Sequence, residues 1–226
     1  MALRTCGGRW VTMPERNEDP FDGREPTSHE RMTGLPWDAS YHEGPAPWDF
    51  GGPQPAVVRA AGKFLGRVLD AGCGSGENAL HLASLGLDVL GVDVAETALK
   101  SARQKALERG LGAEFATADA LHLERLGAKF ETVLDCGLFH SFDTAERLKY
   151  VESLKAVTGG TLYLLCFGDE GENPGPHPVS REALQSAFAG GWRIKAIDNE
   201  RVRTRFHDEN GAPAWFATIE REPTGE

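Results

Sequence analysis

The sequence predicts an α/β fold: a mostly parallel sheet with helices on both faces, closing in an antiparallel pair of strands. Three observations carry this expectation. Between residues 67 and 167, short apolar runs alternate with segments of helical period, the pattern of βαβ units. The first run, VLD at 68–70, opens into AGCGSGENAL, where three glycines at alternate positions allow close backbone approach in a strand-to-helix turn. The last third changes rhythm, with strand-like segments 192–206 and 212–221 joined by HDENG, a hairpin turn.

Taken in order, residues 1–30 are rich in Arg, Glu, Asp, Pro and Gly without periodicity and read as a loosely ordered tail, with Met13 as an alternative start. A single domain is expected over 31–222. Residues 36–55, PWDASYHEGPAPWDFGGPQP, carry Trp37, Tyr41, Trp48 and Phe50. A flexible linker does not normally hold four such aromatics, so an ordered lid is expected, the alternative being a packed loop. Val57, Ala60, Ala61 and Phe64 then mark one face of a helix. Strands are expected at 67–70, 88–93, 113–117, 131–136 and 161–167, with helices at 77–86, 95–109 and 144–157. Asp143 or Thr144 caps the last of these, and Gly86 and Gly110 stand at C-terminal stops. A helix at 179–188, capped by Ser180, precedes the final strand pair. Right-handed crossovers bring ligands to the carboxyl ends of the strands.

The composition narrows the function. A net charge of −10 and a pI near 5.2 argue against a nucleic-acid partner, which needs clustered Lys and Arg. Cys6, Cys73, Cys136 and Cys166 are widely separated and form no C-x-x-C pair, so neither structural zinc nor a disulfide framework is expected. No apolar run approaches a membrane span and no secretory leader opens the chain. The expectation is a reduced, cytoplasmic enzyme acting on a small molecule, without a metal.

The glycine loop discriminates among cofactors. Its spacing is G-x-G-x-G, and Glu77 stands where the dinucleotide motif G-x-G-x-x-G needs its third glycine. No Gly-Lys-Ser or Gly-Lys-Thr of a phosphate loop follows. Asp93 ends the second strand in LGVDVAETAL, where a carboxylate can accept from both ribose hydroxyls of an adenosine moiety. The competing readings are a tight turn without a ligand, and an Asp that only caps the next helix.

Together, VLDAGCGSGENALHLA, GVDVAETAL and ATADALHL resemble the first three motifs of class I S-adenosylmethionine-dependent methyltransferases. The resemblance covers residues 36 to about 220. It implies a Rossmann-like, seven-stranded sheet ending in an antiparallel hairpin, and S-adenosylmethionine as cofactor with S-adenosylhomocysteine as product. It also implies a set of contacts: Asp70, Gly72, Gly74 and Gly76 around the methionyl part, Asp93 and Val94 at the ribose, and Asp119 and Ala120 at the adenine. Carbonyls at the end of the fourth strand, around Asp135 and Cys136, can face the ammonium group of such a cofactor. PWDFGGPQPAV, ahead of the first helix, is similar to the thiopurine, thiol and halide branch and to bacterial relatives that methylate heterocycles and quinone-like hydroxyls. In that branch the tryptophans corresponding to Trp37 and Trp48 lie near the cofactor, and aromatic faces favour a nearby cation. Cys136 stands where thiopurine methyltransferases carry Arg, and DCGLFHSF is closer to the small-heterocycle relatives.

The substrate end is then expected at Tyr41, Phe139 and His140, with His140 as a general base for a phenol, hydroxyl or thiol or, alternatively, a structural histidine of the lid. Glu43 is a weaker candidate, and Cys166 is read as a small buried residue. The expected reaction is in-line methyl transfer to O, N or S of a small aromatic or heterocyclic molecule. Thiol or halide methylation is the alternative, and a nicotinamide-dependent oxidoreductase or a non-catalytic cofactor-binding protein lies further off.

Overall fold

A computed structural model describes residues 19–172 and 174–222; the start of the expected tail, Met13 included, lies outside the described residues. Seven strands form one sheet: β1 (Arg67–Ala71), β2 (Asp88–Asp93), β3 (Glu114–Thr117), β4 (Phe130–Cys136), β5 (Thr158–Phe167), β6 (Trp192–Val202) and β7 (Ala212–Arg221). Their order is β3-β2-β1-β4-β5-β7-β6, and only β7 runs antiparallel, inserted between β5 and β6. The strand order reverses between the paired β1 and β4, so the connections leaving these two strands diverge and open a crevice at their carboxyl ends.

The helices are α1 (Ser28–Thr33), α2 (Pro55–Ala60), α3 (Glu77–Ser84), α4 (Glu96–Arg109), α5 (Thr144–Val157) and α6 (Arg181–Ala187). One core packs α2 and α3 onto the sheet through Val57, Ala60, Ala79 and Leu82. The other packs α5 and α6 onto the opposite face through Tyr150, Leu154, Leu184 and Phe188. The helix starts follow from their caps. Asp143 accepts from the Glu146 N–H while Glu146 reaches back, a capping box, and Ser180 accepts from Ala183 N–H.

Two differences from the sequence reading matter for the site. Residues 19–30 are not a tail. Asp19 accepts from the N–H groups of Phe21 and Gly23, and Thr27 with Glu30 forms a capping box that starts α1. Glu30 is fully buried and paired with Arg24. In addition, β6 stops at Val202 rather than running to 206, because Arg203 N–H donates to the Gln54 side chain and Arg205 N–H to the Pro47 carbonyl. The hairpin end is bonded to the lid segment instead of to β7.

Candidate active site

The site grows from the loop after β1. Gly72 and Cys73 donate their N–H groups to the Val92 carbonyl, which folds the loop back over β2. Gly72 and Gly74 have φ of 72° and 52°. A β carbon on Gly72 would lie 2.8 Å from Leu138 Cδ2, and one on Gly74 would lie 2.9 Å from the Tyr41 hydroxyl. The bare backbone therefore forms the floor of a cleft of about 1170 Å³, large for a single-ligand pocket.

Asp93 stands at the next wall. Its Oδ2 accepts from Gly74 N–H and its Oδ1 from Ala95 N–H, both at 2.8 Å. Each oxygen keeps further acceptor capacity, which suits two adjacent hydroxyls. Burial pushes the carboxyl up, and the backbone N–H groups oppose that shift. Further along, Asp119 caps a 3-10 turn by accepting from Leu121 N–H at 2.9 Å. Val94, Asp119 and Ala120 line the cleft together there.

Three polar ties hold residues 36–55 against the rim of the cleft. Asp38 accepts from Thr97 N–H and Oγ1 at the start of α4. Asp49 meets the Ser75 hydroxyl at 2.5 Å, and Lys105 donates to that same oxygen. Gln54 bonds to both Asn78 and Arg203. These ties set the aromatic wall: Trp48 Nε1–H donates to the Tyr41 hydroxyl at 3.0 Å, and the Trp37 and Trp48 rings meet edge to face at 5.5 Å. Burial and the nearby Asp93 push the Tyr41 hydroxyl up, so it stays protonated.

Beyond Trp37 lies a histidine-rich end. The His29 ring stacks on Trp37 at 4.1 Å, and the His177 ring is 6.4 Å from His29. His140 packs against Phe167 at 4.4 Å, and its Nδ1 faces the Phe167 N–H at 3.4 Å. Burial, with Arg147 and the other two histidines, lowers the His140 pKa to about 3. The ring is neutral at pH 7. With Nδ1 accepting, the proton sits on Nε2. Helix α1 is fixed here by Ser28, whose hydroxyl donates to the Ser141 carbonyl at 2.7 Å and lies 2.6 Å from Glu146.

Trp37, Tyr41, Trp48, Gly72, Gly74, Asp93, Val94, Asp119, Ala120 and His140 thus converge on one cleft. Five sequence candidates do not. Asp70 is fully buried beneath the loop. Gly76 starts α3 with φ 81° and is wedged against Ala102 and Phe115. The Asp135 side chain turns inward and accepts from the N–H groups of Leu138 and Phe139, so only the following residues, from Cys136, face the cleft. Phe139 is buried in the core, stacked on Phe188 at 5.7 Å. Glu43 is exposed, and Cys166 is buried.

Sequence reasoning missed His29, Asn78, Phe167, His177 and Phe206 on the cleft wall. His29 was findable, because T-x-x-E at Thr27–Glu30 is a helix-start signature.

Comparison with known proteins agrees with this geometry. Residues 68–159 match the family model described as a methyltransferase domain. The chain is 35% identical over 188 residues to the 2-heptyl-1-hydroxyquinolin-4(1H)-one methyltransferase of Mycobacteroides abscessus, covering 79% of this chain and 83% of that protein. It superposes, with TM-score 0.73 and 38% identity, on a structure solved in work on the conversion of a disulfide bond into a thioacetal group during echinomycin biosynthesis, covering 82% of this chain and 91% of the other. The magnesium protoporphyrin IX methyltransferase of Synechocystis PCC 6803, solved with bound S-adenosylmethionine, shares the fold at TM-score 0.58 and 24% identity, over 74% of this chain and 76% of that one.

Proposed function

This chain belongs to the S-adenosylmethionine-dependent methyltransferases, and we propose that it methylates a hydroxyl on a small, flat heteroaromatic molecule. S-adenosylmethionine supplies an electrophilic methyl group on a sulfonium centre. The residues present suit it: Gly72 and Gly74 leave a floor that side chains would fill, Asp93 offers acceptor capacity for a ribose, and Asp119 with Ala120 lines the same cleft and offers hydrogen-bonding groups to an adenine. The observation that carries the choice of methyl acceptor is the ring-lined end formed by His29, Trp37, His140 and Phe167. Such a wall admits a planar molecule and excludes water from it.

His140 orients the methyl acceptor in this reading, donating from Nε2–H to an oxygen. This replaces its role as base, because a ring whose Nδ1 faces an N–H and whose pKa is lowered to about 3 takes up a proton poorly near neutral pH. Much of the rate comes from holding two reactants in line, since the methyl group is already activated. The lid ties at Asp38, Asp49 and Gln54 keep that arrangement closed to water. A cytoplasmic location belongs to the same reading, supported by the free thiols Cys73, Cys136 and Cys166.

A sulfur acceptor is the second reading, favoured by the 38% identity to the echinomycin-pathway structure. A panel of hydroxyquinolones, phenols, thiols and iodide, assayed with tritiated methyl donor, separates the two. Hydroxy-heteroaromatics are expected to react at least about tenfold faster, a difference of ~1.4 kcal/mol in barrier. Faster thiol turnover would give the second reading.

A further inference from the structure

We infer that His177 is the general base of this site, taking the proton from the hydroxyl of the methyl acceptor while His140 only orients it. The inference rests on the hydroxyl-methylation reading above. His177 stands in PGPHP, residues 174–178, between Pro176 and Pro178. Its φ is +54°, a left-handed conformation uncommon for a residue with a β carbon, and a following proline adds its own restriction. Backbone held this way persists only where the surroundings over-determine it, and it clusters at ligand sites.

The surroundings do so here. Val179 N–H donates to the Phe167 carbonyl at 2.9 Å, and Trp215 Nε1–H donates to the Val179 carbonyl at 2.7 Å. On the other side, a β carbon on Gly175 would lie 2.3 Å from the Phe167 ring. The loop is therefore anchored on both sides of His177 to the same Phe167 that packs on His140. The His177 ring lines the cleft, and its Nε2 is buried with no hydrogen-bond partner among the described residues. A buried polar atom left this way calls for a partner from elsewhere.

The two rings offer complementary chemistry. His140 presents an N–H. With its own proton on Nδ1, His177 presents a lone pair. The pair fits a planar molecule whose hydroxyl stands beside a second oxygen or a ring nitrogen. The hydroxyl gives its proton to His177 Nε2 and the second heteroatom accepts from His140 Nε2–H. As the new O–C bond forms, the S–C bond of the donor breaks and leaves a neutral thioether. The positive charge ends on the His177 imidazolium, which later releases the proton to solvent. The charged and titratable groups around this step are His29 of α1 with Glu30 behind it, His140 in the turn after β4, and Arg147 of α5.

The test is a linear free-energy series. Hydroxy-heteroaromatics of one skeleton, with hydroxyl pKa from about 5 to about 10, are assayed with wild type, His177→Asn and His140→Gln near pH 7. Asn tolerates the left-handed backbone, so the loop is kept. His177→Asn should lower kcat/KM about 100-fold or more for the least acidic members. Members already ionised should be affected less than about threefold, since they have no proton to lose. S-adenosylhomocysteine affinity by calorimetry should not change. An equal loss across the series, no loss, or a selective loss in His140→Gln instead would overturn the assignment. If wild type methylates thiols but no member of the series, the hydroxyl reading falls and the base falls with it.

Discussion

Two backbone N–H groups, from Gly74 and Ala95, each engage one oxygen of Asp93, so this carboxylate is aimed before any ligand arrives. Replacing it by Ala removes both the aim and the acceptors. Asp93→Ala is expected to weaken S-adenosylhomocysteine binding at least about tenfold by calorimetry, ~1.4 kcal/mol; unchanged affinity would remove the ribose assignment. Asp93 was legible because its place follows from local order: strand, glycine loop, helix, strand, acid. Side-chain direction was not. Leu138 and His140 face the cleft while Phe139 between them enters the core, because a short 3-10 turn over Phe139–Ser141 sends successive side chains different ways. His177 lies far along the chain in an aperiodic loop, with only its flanking prolines to mark it.

Helix α4 illustrates what the element scale adds. Its N-cap residue is Ala95, which has no polar side chain to offer, and the cap comes from residues 36–55, where Asp38 accepts from Thr97 N–H and Oγ1. One carboxylate thus completes a helix and fastens the aromatic wall to it. Asp38→Ala should cost about 1 kcal/mol, as cap removals do, which for a chain of this size is a Tm lower by about 2–4 °C. Because the same change loosens the lid, stopped-flow measurement should also find faster S-adenosylhomocysteine release. A Tm loss with an unaltered release rate would show that the cap and the lid are separate matters. Elements with their own punctuation were readable to within a residue or two. α5 begins and ends where Asp143 and the apolar period place it, at Thr144–Val157. β5 begins three residues earlier than read, at Thr158, because Gly159 and Gly160 continue the strand instead of turning. A β carbon on Gly160 would meet the Glu131 carbonyl oxygen at 2.5 Å, so glycine here serves close strand approach. The lid ties could not be read at all, since each joins residues far apart in the chain.

Across the whole molecule, the crevice at the carboxyl ends of β1 and β4 concentrates acid. Asp70 and Asp135 are both fully buried there, one at the end of each strand. Desolvation, with Asp135 beside it, raises Asp70 from the ordinary 3.8 to about 7, and desolvation raises Asp135 to about 6. The sign follows from proton counting. Between pH 4 and 7 these two carboxyls keep protons in the folded chain that they have released in the unfolded one, so for them νU is smaller than νN and their contribution to stability falls as pH rises through this window. Above about pH 7 both states are ionised and the loss is complete. Glu30 and Glu77 work the other way. Paired with Arg24 and with Lys105 and Arg109, their carboxyls are held below the usual range, and their contribution is lost only as pH falls through it. His140 and His29, whose pKa burial lowers, also oppose the two aspartates, because their contribution is lost as pH falls below the ordinary histidine value of 6.5. Asp70→Asn removes the ionisation while keeping the shape, so its Tm relative to wild type should be clearly higher at pH 8 than at pH 5. Thermal melts of both proteins at the two pH values measure this directly, and a difference between the variants that does not change with pH would mean that Asp70 is ionised throughout, stabilised by a partner beneath the glycine loop.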